Sequence, residues 1–340
     1  MKVLVNGIGN IGTTVLNLLS DYQKLFEIEE IYALKNTSIS SWNQADLDIL
    51  ESKGVIICTR NSSRYLPLEN IINEIDYIFD CNANGFGLKN KEWYQSLANL
   101  KGCSAQGSEK AFGISFMSGI NNDKLINQKF AHIVSCNTHS IASLIHTFTG
   151  HNPSQLNKGD FVVVRRSEDL GNHQRLVAAN VVSRHLDNTV GTHHAIDVKD
   201  LYDTIGQELD IQSSDITTPS QLMHTVRFNF HLKEMPSQEQ IENWISENKY
   251  ISKTNKFDSN IVFELGRKYS LYGRLFSHTI INSNNLLFDY ENACLKGWAF
   301  IPQEGNTILS TIHAFLLQTN HSKESEIMDV LKAKMIRAEW

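Results

Sequence analysis

The chain has 340 residues, enough for about two domains, and 31 Lys and Arg against 37 Asp and Glu leave a net charge of −6. Without a basic field, neither nucleic acid nor an anionic membrane is an expected partner. Hydrophobic residues at 41% and charged residues at 20% exclude a disordered chain, and no apolar run nears the ~20 residues that span a bilayer.

Strand-like and helix-like stretches alternate through roughly the first 140 residues. Residues 2–6 form a β-rich run that starts almost at Met1 with no secretory leader before it, so a cytoplasmic protein is expected. Gly7-Ile8-Gly9-Asn10-Ile11-Gly12 follows, and then a helical stretch over 13–26. In a G-x-G-x-x-G between strand and helix, the first glycine allows the turn and the second admits a pyrophosphate to the backbone. The third lets the helix pack on the strand, and the helix N-terminus attracts phosphate charge. A dinucleotide is therefore expected on Gly7, Ile8, Gly9, Asn10, Ile11 and Gly12. The second strand, 30–34, should end in a carboxylate if it is to hold the ribose 2′-hydroxyl of NAD. Here Lys35-Asn36-Thr37 stand instead. Lys35 either pairs with a 2′-phosphate, favouring NADP or dual use with NAD, or is a solvated strand end; Arg60 is another candidate. Further buried strands are expected at 55–58, 77–81 and 133–136, separated by polar or helical segments at 66–75 and 90–100. This rhythm predicts an α/β, Rossmann-type doubly wound dinucleotide-binding domain.

After a helical stretch at 141–148 the pattern changes. Strand-like runs at 161–165, 225–232, 261–265, 278–281 and 286–290, with one clear helix at 238–247, predict an α+β catalytic domain with a mainly antiparallel or mixed sheet. The tail is helical again, with Ile308, Ile312, Phe315 and Leu316 at helical spacing. The expected organisation is a dinucleotide-binding domain over 1–135, joined by the C-terminal segment 304–340, and a catalytic domain over 136–303.

The five cysteines form no Cys-x-x-Cys pair and are odd in number, which points to reduced thiols. Cys58, Cys81, Cys103 and Cys294 read as small packed hydrophobes. Cys136 differs, because Val134-Ser135-Cys136-Asn137-Thr138 lies where a strand gives way to a helix. A thiol there meets the positive end of the helix dipole, which favours the thiolate.

These residues resemble a known family. Ser135-Cys136-Asn137-Thr138 is similar to the Ser-Cys-Asn-Thr nucleophile segment of glyceraldehyde-3-phosphate dehydrogenases. Other segments resemble the archaeal-type (type II) branch: Val5-Asn6 with the glycine turn, Gly87-Leu88-Lys89-Asn90-Lys91, and Gln106-Gly107-Ser108-Glu109-Lys110. Arg165-Arg166, His193-His194-Ala195-Ile196-Asp197-Val198, Pro219-Ser220-Gln221-Leu222-Met223-His224 and Glu264-Leu265-Gly266-Arg267 continue the match in order to about residue 315.

The resemblance implies a phosphorylating enzyme, a homotetramer, that oxidises a phosphorylated aldehyde with NADP or NAD. Cys136 would attack the aldehyde, the thiohemiacetal would lose hydride, and inorganic phosphate would release an acyl phosphate from the thioester. His224 would be the base, since imidazole titrates near working pH. Ser135 and the backbone N–H groups of Asn137 and Thr138 would border the substrate. Arg165, Arg166, His193 and His194 would bind the phosphates, and Asn306 the nicotinamide amide. The Arg pair also reads as a solvated strand end beside Glu168 and Asp169. No metal is expected, because adjacent histidines on an extended chain point to opposite faces and no other ligand spacing completes a zinc site.

The chain departs from the family pattern in several places. His139-Ser140 replace Thr-Gly, Ala195-Ile196 replace Gly-Pro, Ala83-Asn84 replace Pro-Glu, and 171–186 lacks Lys-Gly-Pro-Ile-Asn. A related aldehyde or semialdehyde dehydrogenase, and a retired dinucleotide-binding homologue, therefore stand as alternatives.

Overall fold

The computed structural model describes residues 1–60, 64–107, 109–167, 180–220, 222–269 and 271–340. Ser108, Glu168, Asp169, Gln221 and the segment 171–179 of the sequence readings lie outside them. By packing, the chain divides into two units. Unit 1 comprises Met1–Ser118, Asn122–Ile133 and Ile308–Asp329; unit 2 comprises Gly119–Asn121, Val134–Thr307 and Val330–Trp340.

Unit 1 is built on β1 (Lys2–Asn6), β2 (Glu30–Lys35), β3 (Ile56–Thr59), β4 (Leu66–Pro67), β5 (Tyr77–Asp80), β6 (Gly102–Gln106), β7 (Ile114–Phe116) and β8 (Phe130–Ile133). Their order is β4-β3-β2-β1-β5-β6-β8-β7, and every pairing is parallel. Parallel strands are covered on both faces, so they are nearly continuous in apolar residues, as in Val3-Leu4-Val5 and Ile78-Phe79. The chain leaves β1 toward β2 on one side and returns to β5 on the other. The strand order thus reverses between β1 and β5, where open α/β sheets bind ligands. Helices α1 (Asn10–Asp21), α2 (Ser41–Ser52) and α3 (Phe86–Gln95) connect the strands. The later helix Ile308–Gln318 docks on this sheet, with the Phe315 ring 5.0 Å from Tyr77 and 5.6 Å from Phe79. The start of α3 is capped from a distance: buried Glu109 accepts from the backbone N–H groups of Gly85 (2.5 Å) and Leu88 (2.8 Å).

The short α4 (Asn122–Leu125) belongs to unit 1; the helices of unit 2 begin with α5 (Cys136–Phe148), followed by α6 (His193–Asp203), α7 (Gln238–Glu247) and α8 (Ser259–Lys268). Its strands are β9 (Leu156–Arg166), β10 (Val181–Val182), β11 (Ile211–Thr218), β12 (His224–Leu232), β13 (Ser252–Thr254), β14 (Ile280–Asn282), β15 (Leu287–Asp289) and β16 (Cys294–Ile301). The mixed sheet runs β10-β11-β9-β12-β16-β14-β13, with β15 beside β16. Helix α5 lies against β9 and β16 between α6 and α7. Phe148 stacks on Phe228 at 5.2 Å, and Phe161 meets Phe230 edge-on at 5.5 Å.

Several elements differ from expectation for physical reasons. Residues 261–265 are helical within α8: Asp258 accepts from the Asn260 N–H at 2.7 Å, and Val262 and Gly266, one turn apart, are the buried positions. Local β propensity of Ile261, Val262 and Phe263 yields there to the cap and the helical period. The strand expected over 133–136 ends at Ile133, and the helix begins at Cys136 rather than at 141. The tail is divided rather than joined whole to the first domain. Trp340 donates its backbone N–H to Lys253 (3.0 Å), its carbonyl accepts from the Thr254 hydroxyl (2.7 Å), and both bonds tie it to unit 2. Among the described residues no helix is long and apolar enough to cross a membrane.

Removing the Glu109 carboxylate strands two N–H groups at the start of α3. Glu109→Ala should lower the stability of the urea transition that reports unit 1 by about 2–4 kcal/mol; an unchanged midpoint would show that the cap is dispensable.

Candidate active site

At the end of β1, Gly7 has φ +105, and a Cβ there would lie 2.9 Å from the Cys81 carbonyl oxygen beyond β5. A side chain on Gly12 would run into the Gly7 carbonyl, whereas one on Gly9 would meet nothing within 4 Å. Gly9 is also the N-cap of α1, so the open space faces a helix start. Tight turn, open backbone and close helix packing are the three requirements of a pyrophosphate cradle, and these residues fit one. At the end of β2, Lys35 is half-buried, and desolvation lowers its pKa. The Asn36 amide donates to Asn6 (2.7 Å) and Asn82 (2.9 Å). Buried Asp80 receives the Asn82 N–H (3.0 Å) and the Tyr94 hydroxyl (2.5 Å), which anchors this rim of the sheet.

The remaining candidates gather at one edge of the second sheet. Because β9 is parallel to β11 and antiparallel to β12, and β12 is antiparallel to β16, the ends of β9, β11 and β16 meet the start of β12 there. Cys136 is the first residue of α5 and is partly exposed. Ser135 is the N-cap: its hydroxyl accepts from the Thr138 N–H at 3.3 Å, so one of the two N–H groups expected at an oxyanion is already engaged in the cap. The Asn306 amide donates to the carbonyls of Cys136 (2.9 Å) and His278 (3.0 Å), while its own Oδ1 is buried without a hydrogen-bond partner.

His224 opens β12 and is 8% exposed. Its Nδ1 accepts from the Arg166 backbone N–H at 2.9 Å, and its own N–H donates to Gln303 Oε1 at 3.0 Å. Burial, then the charges of Arg166 and Arg165, hold its pKa well below the ordinary value. The imidazole is therefore neutral, and the bond at Nδ1 assigns its proton to Nε2.

The two arginines separate. Arg166 is buried and donates to Glu304 at 2.8 Å, and Glu304 also pairs with Arg274 at 3.0 Å. Arg165 is 37% exposed, 3.8 Å from Asp215. The histidine pair behaves differently from expectation. Residues 193–194 start a helix rather than an extended run, so their rings lie side by side with centroids 3.9 Å apart. The geometric ground for excluding a metal there is thereby removed. His194 Nδ1 lies 3.4 Å from the Asn137 amide and its Nε2 3.2 Å from Asp215 Oδ2. Burial raises the Asp215 pKa, but His194, the Ser183 hydroxyl and Arg165 outweigh it and bring it to about 2. His193 falls to about 4, first through burial and then through His194. Asp215, Glu304, Arg274, Gln303 and His278 were not singled out from sequence. Of these only Asp215 carried a signal, as a carboxylate in mid-strand where Asp is disfavoured.

No family model matches the chain. Proteins named glyceraldehyde-3-phosphate dehydrogenase do match it: one from Sulfurisphaera tokodaii is 29% identical over 72% of this chain and 69% of its own length. One from Metallosphaera sedula is 28% identical over 66% and 64%, and one from Methanococcoides burtonii 23% identical over 96% and 97%. All three are archaeal, and together with the two-sheet α/β architecture they support a glyceraldehyde-3-phosphate dehydrogenase-like family.

The buried histidines make stability depend on pH. His146 (about 4), His193, His224 and His278 all titrate below the ordinary value, burial being the first cause in each. A folded pKa below the unfolded ~6.5 means that the contribution is complete above that pH and is lost as pH falls toward ~4. Urea midpoints should drop between pH 7 and pH 5, less steeply in His146→Gln; a flat profile would contradict neutral burial.

Proposed function

We propose that the chain is a phosphorylating, NAD(P)-dependent glyceraldehyde-3-phosphate dehydrogenase of the archaeal type. The observation that carries this reading is the start of α5, where Cys136 is held through its carbonyl by Asn306, three residues beyond the Gln303 that fixes His224. A thiol at a helix N-terminus and a buried imidazole, both tied to the 303–306 turn, suit thiol attack on a carbonyl.

The Cys136 thiol loses its proton to solvent, and the resulting thiolate sulfur bonds to the aldehyde carbon, so that the carbonyl oxygen becomes an alkoxide. Neutral His224 can donate from Nε2 to that oxygen, but accepting a proton at Nδ1 would break its bond to the Arg166 N–H. Its role is thus that of an oxyanion donor rather than the base expected from sequence. A dinucleotide held on Gly7–Gly12 would supply the hydride acceptor. Loss of hydride from the alkoxide carbon restores the carbonyl as a thioester, with no proton left for a base to remove. Inorganic phosphate then attacks the thioester, the C–S bond breaks, and Cys136 leaves as thiolate with an acyl phosphate formed. Arg165 and His193, both partly exposed, would receive the phosphates. The partnerless Asn306 Oδ1 is an acceptor suited to the N–H of a carboxamide. Lys35, with an amide rather than a carboxylate beside it, suits a cofactor with a 2′-phosphate as well as one without.

A related aldehyde dehydrogenase with a different substrate is the second reading. The commitment of Arg166 to Glu304 favours it, since that leaves Arg165 as the exposed member of the pair.

Initial rates with glyceraldehyde 3-phosphate, both cofactors, and phosphate present or absent should show phosphate-dependent turnover. Cys136→Ser should abolish it while keeping dinucleotide binding, and His224→Asn should lower kcat by about 10²–10³. Turnover of other aldehydes but not this one would replace the first reading by the second. Dinucleotide binding without turnover of any aldehyde would overturn both.

A further inference from the structure

At the start of α6, His193 lies in a cluster with His194 and Asp215, two groups to which the thiol chemistry above gives no part. His193, His194 and Asp215 each present one ligand atom, and these atoms lie within 4.8 Å of one another. His194 Nε2 and Asp215 Oδ2 are 3.2 Å apart, at ion-pair distance, both buried, and apart from each other neither has a polar partner. Zinc-class bonds of about 2.0–2.2 Å in a tetrahedron set neighbouring ligand atoms about 3.3–3.5 Å apart, so this pair already has nearly the spacing of two ligands on one ion.

The fold supports the pair from behind. Ser213 on β11 accepts the Ala195 N–H at 3.0 Å and contacts the Thr192 hydroxyl at 2.7 Å, which pins the start of α6 over the strand that bears Asp215. The Ser183 hydroxyl holds Asp215 Oδ1 and so turns Oδ2 toward His194. Asn137 lies 3.4 Å from His194 Nδ1, and its Oδ1 is buried without a partner. Turned end for end, that amide would accept the Nδ1–H and leave Nε2 bare, which is how a ligating histidine is usually oriented by its neighbours. His193 is partly exposed, which leaves an approach from solvent. Arg165 opposes a cation, but it lies 3.8 Å from Oδ1, the oxygen away from His194, and at 37% exposure its side chain can turn into water.

We propose that His193, His194 and Asp215 form a binding site for one divalent transition metal of the zinc class. Two imidazoles and one carboxylate favour Zn²⁺, Co²⁺ or Ni²⁺ over Mg²⁺ or Ca²⁺, and three protein ligands leave a position open for water or a phosphate oxygen. Binding itself does not rest on the dehydrogenase reading; only its effect on phosphate would.

The test is titration of the full chain carrying Cys136→Ser with Co²⁺, read by visible absorption and calorimetry without aldehyde or cofactor. One equivalent should bind with the intense bands of a four-coordinate ion. His193→Ala, at a partly exposed position, and Asp215→Asn should each weaken it by about 10–100-fold while circular dichroism stays native. Arg165→Ala should bind as tightly or more so. Absence of binding in the Cys136→Ser chain, or unchanged affinity in His193→Ala and Asp215→Asn, would overturn the proposal.

Discussion

The candidate catalytic edge of unit 2 depends on one turn, Gln303–Asn306. Gln303 accepts the backbone N–H of His224, Glu304 joins Arg166 to Arg274, and Asn306 bridges the carbonyls of Cys136 and His278. A Cβ at Gly305 would collide with the Leu275 carbonyl, so the turn is pressed against its neighbours, and Glu304 takes a left-handed φ of +62. Such a conformation costs about 1–3 kcal/mol and persists only where surrounding contacts over-determine it. Here they do. Gln303, Glu304 and Asn306 fix elements that lie far apart in the chain, and Cys136, the imidazole and the buried guanidinium share one frame.

That frame also sorts the charges. Buried Arg166 would be costly alone, and Glu304 offsets it with a direct bond, while Arg274 shares the same carboxylate. The pairing withdraws Arg166 from solution anions but uses its backbone N–H to set the His224 tautomer. A residue chosen from sequence for its guanidinium thus acts on the site through its main chain. Arg165, its neighbour on the strand, faces the other way and stays partly exposed beside Asp215.

The glycine turn was legible because its reasons are local: a positive φ, a close helix and an open backbone all lie within six residues. Cys136 was legible for the same reason, since Ser135 and Thr138 close the cap around it. The alternation rule that separates adjacent side chains holds for Arg165 and Arg166, which are on a strand. It fails for His193 and His194, which begin a helix that no strong local signal announced. Partners distant in the chain could not be read at all: Glu304 lies 138 residues from Arg166, and Asn306 lies 170 from Cys136. Strands such as β6, Gly-Cys-Ser-Ala-Gln, were hidden because small residues fit where neighbours leave no room. A Cβ on Gly102 would approach Gln318 to 2.7 Å.

The departures from the family pattern take on a different meaning once buried positions are separated from exposed ones. His139 and Ser140 are fully buried in unit 2. The His139 ring lies edge-on to His278 at 4.9 Å, and the Ser140 hydroxyl contacts that of Thr279 at 2.8 Å. Ala195 is likewise buried, with its N–H on Ser213. These substitutions change how α5 and α6 are packed against the sheet, and packing partners such as His278 and Thr279 answer them. Since His278 also presents its carbonyl to Asn306, the packing behind α5 is continuous with the bond that holds Cys136, so a change in the core can shift the start of α5 without altering the residues around it.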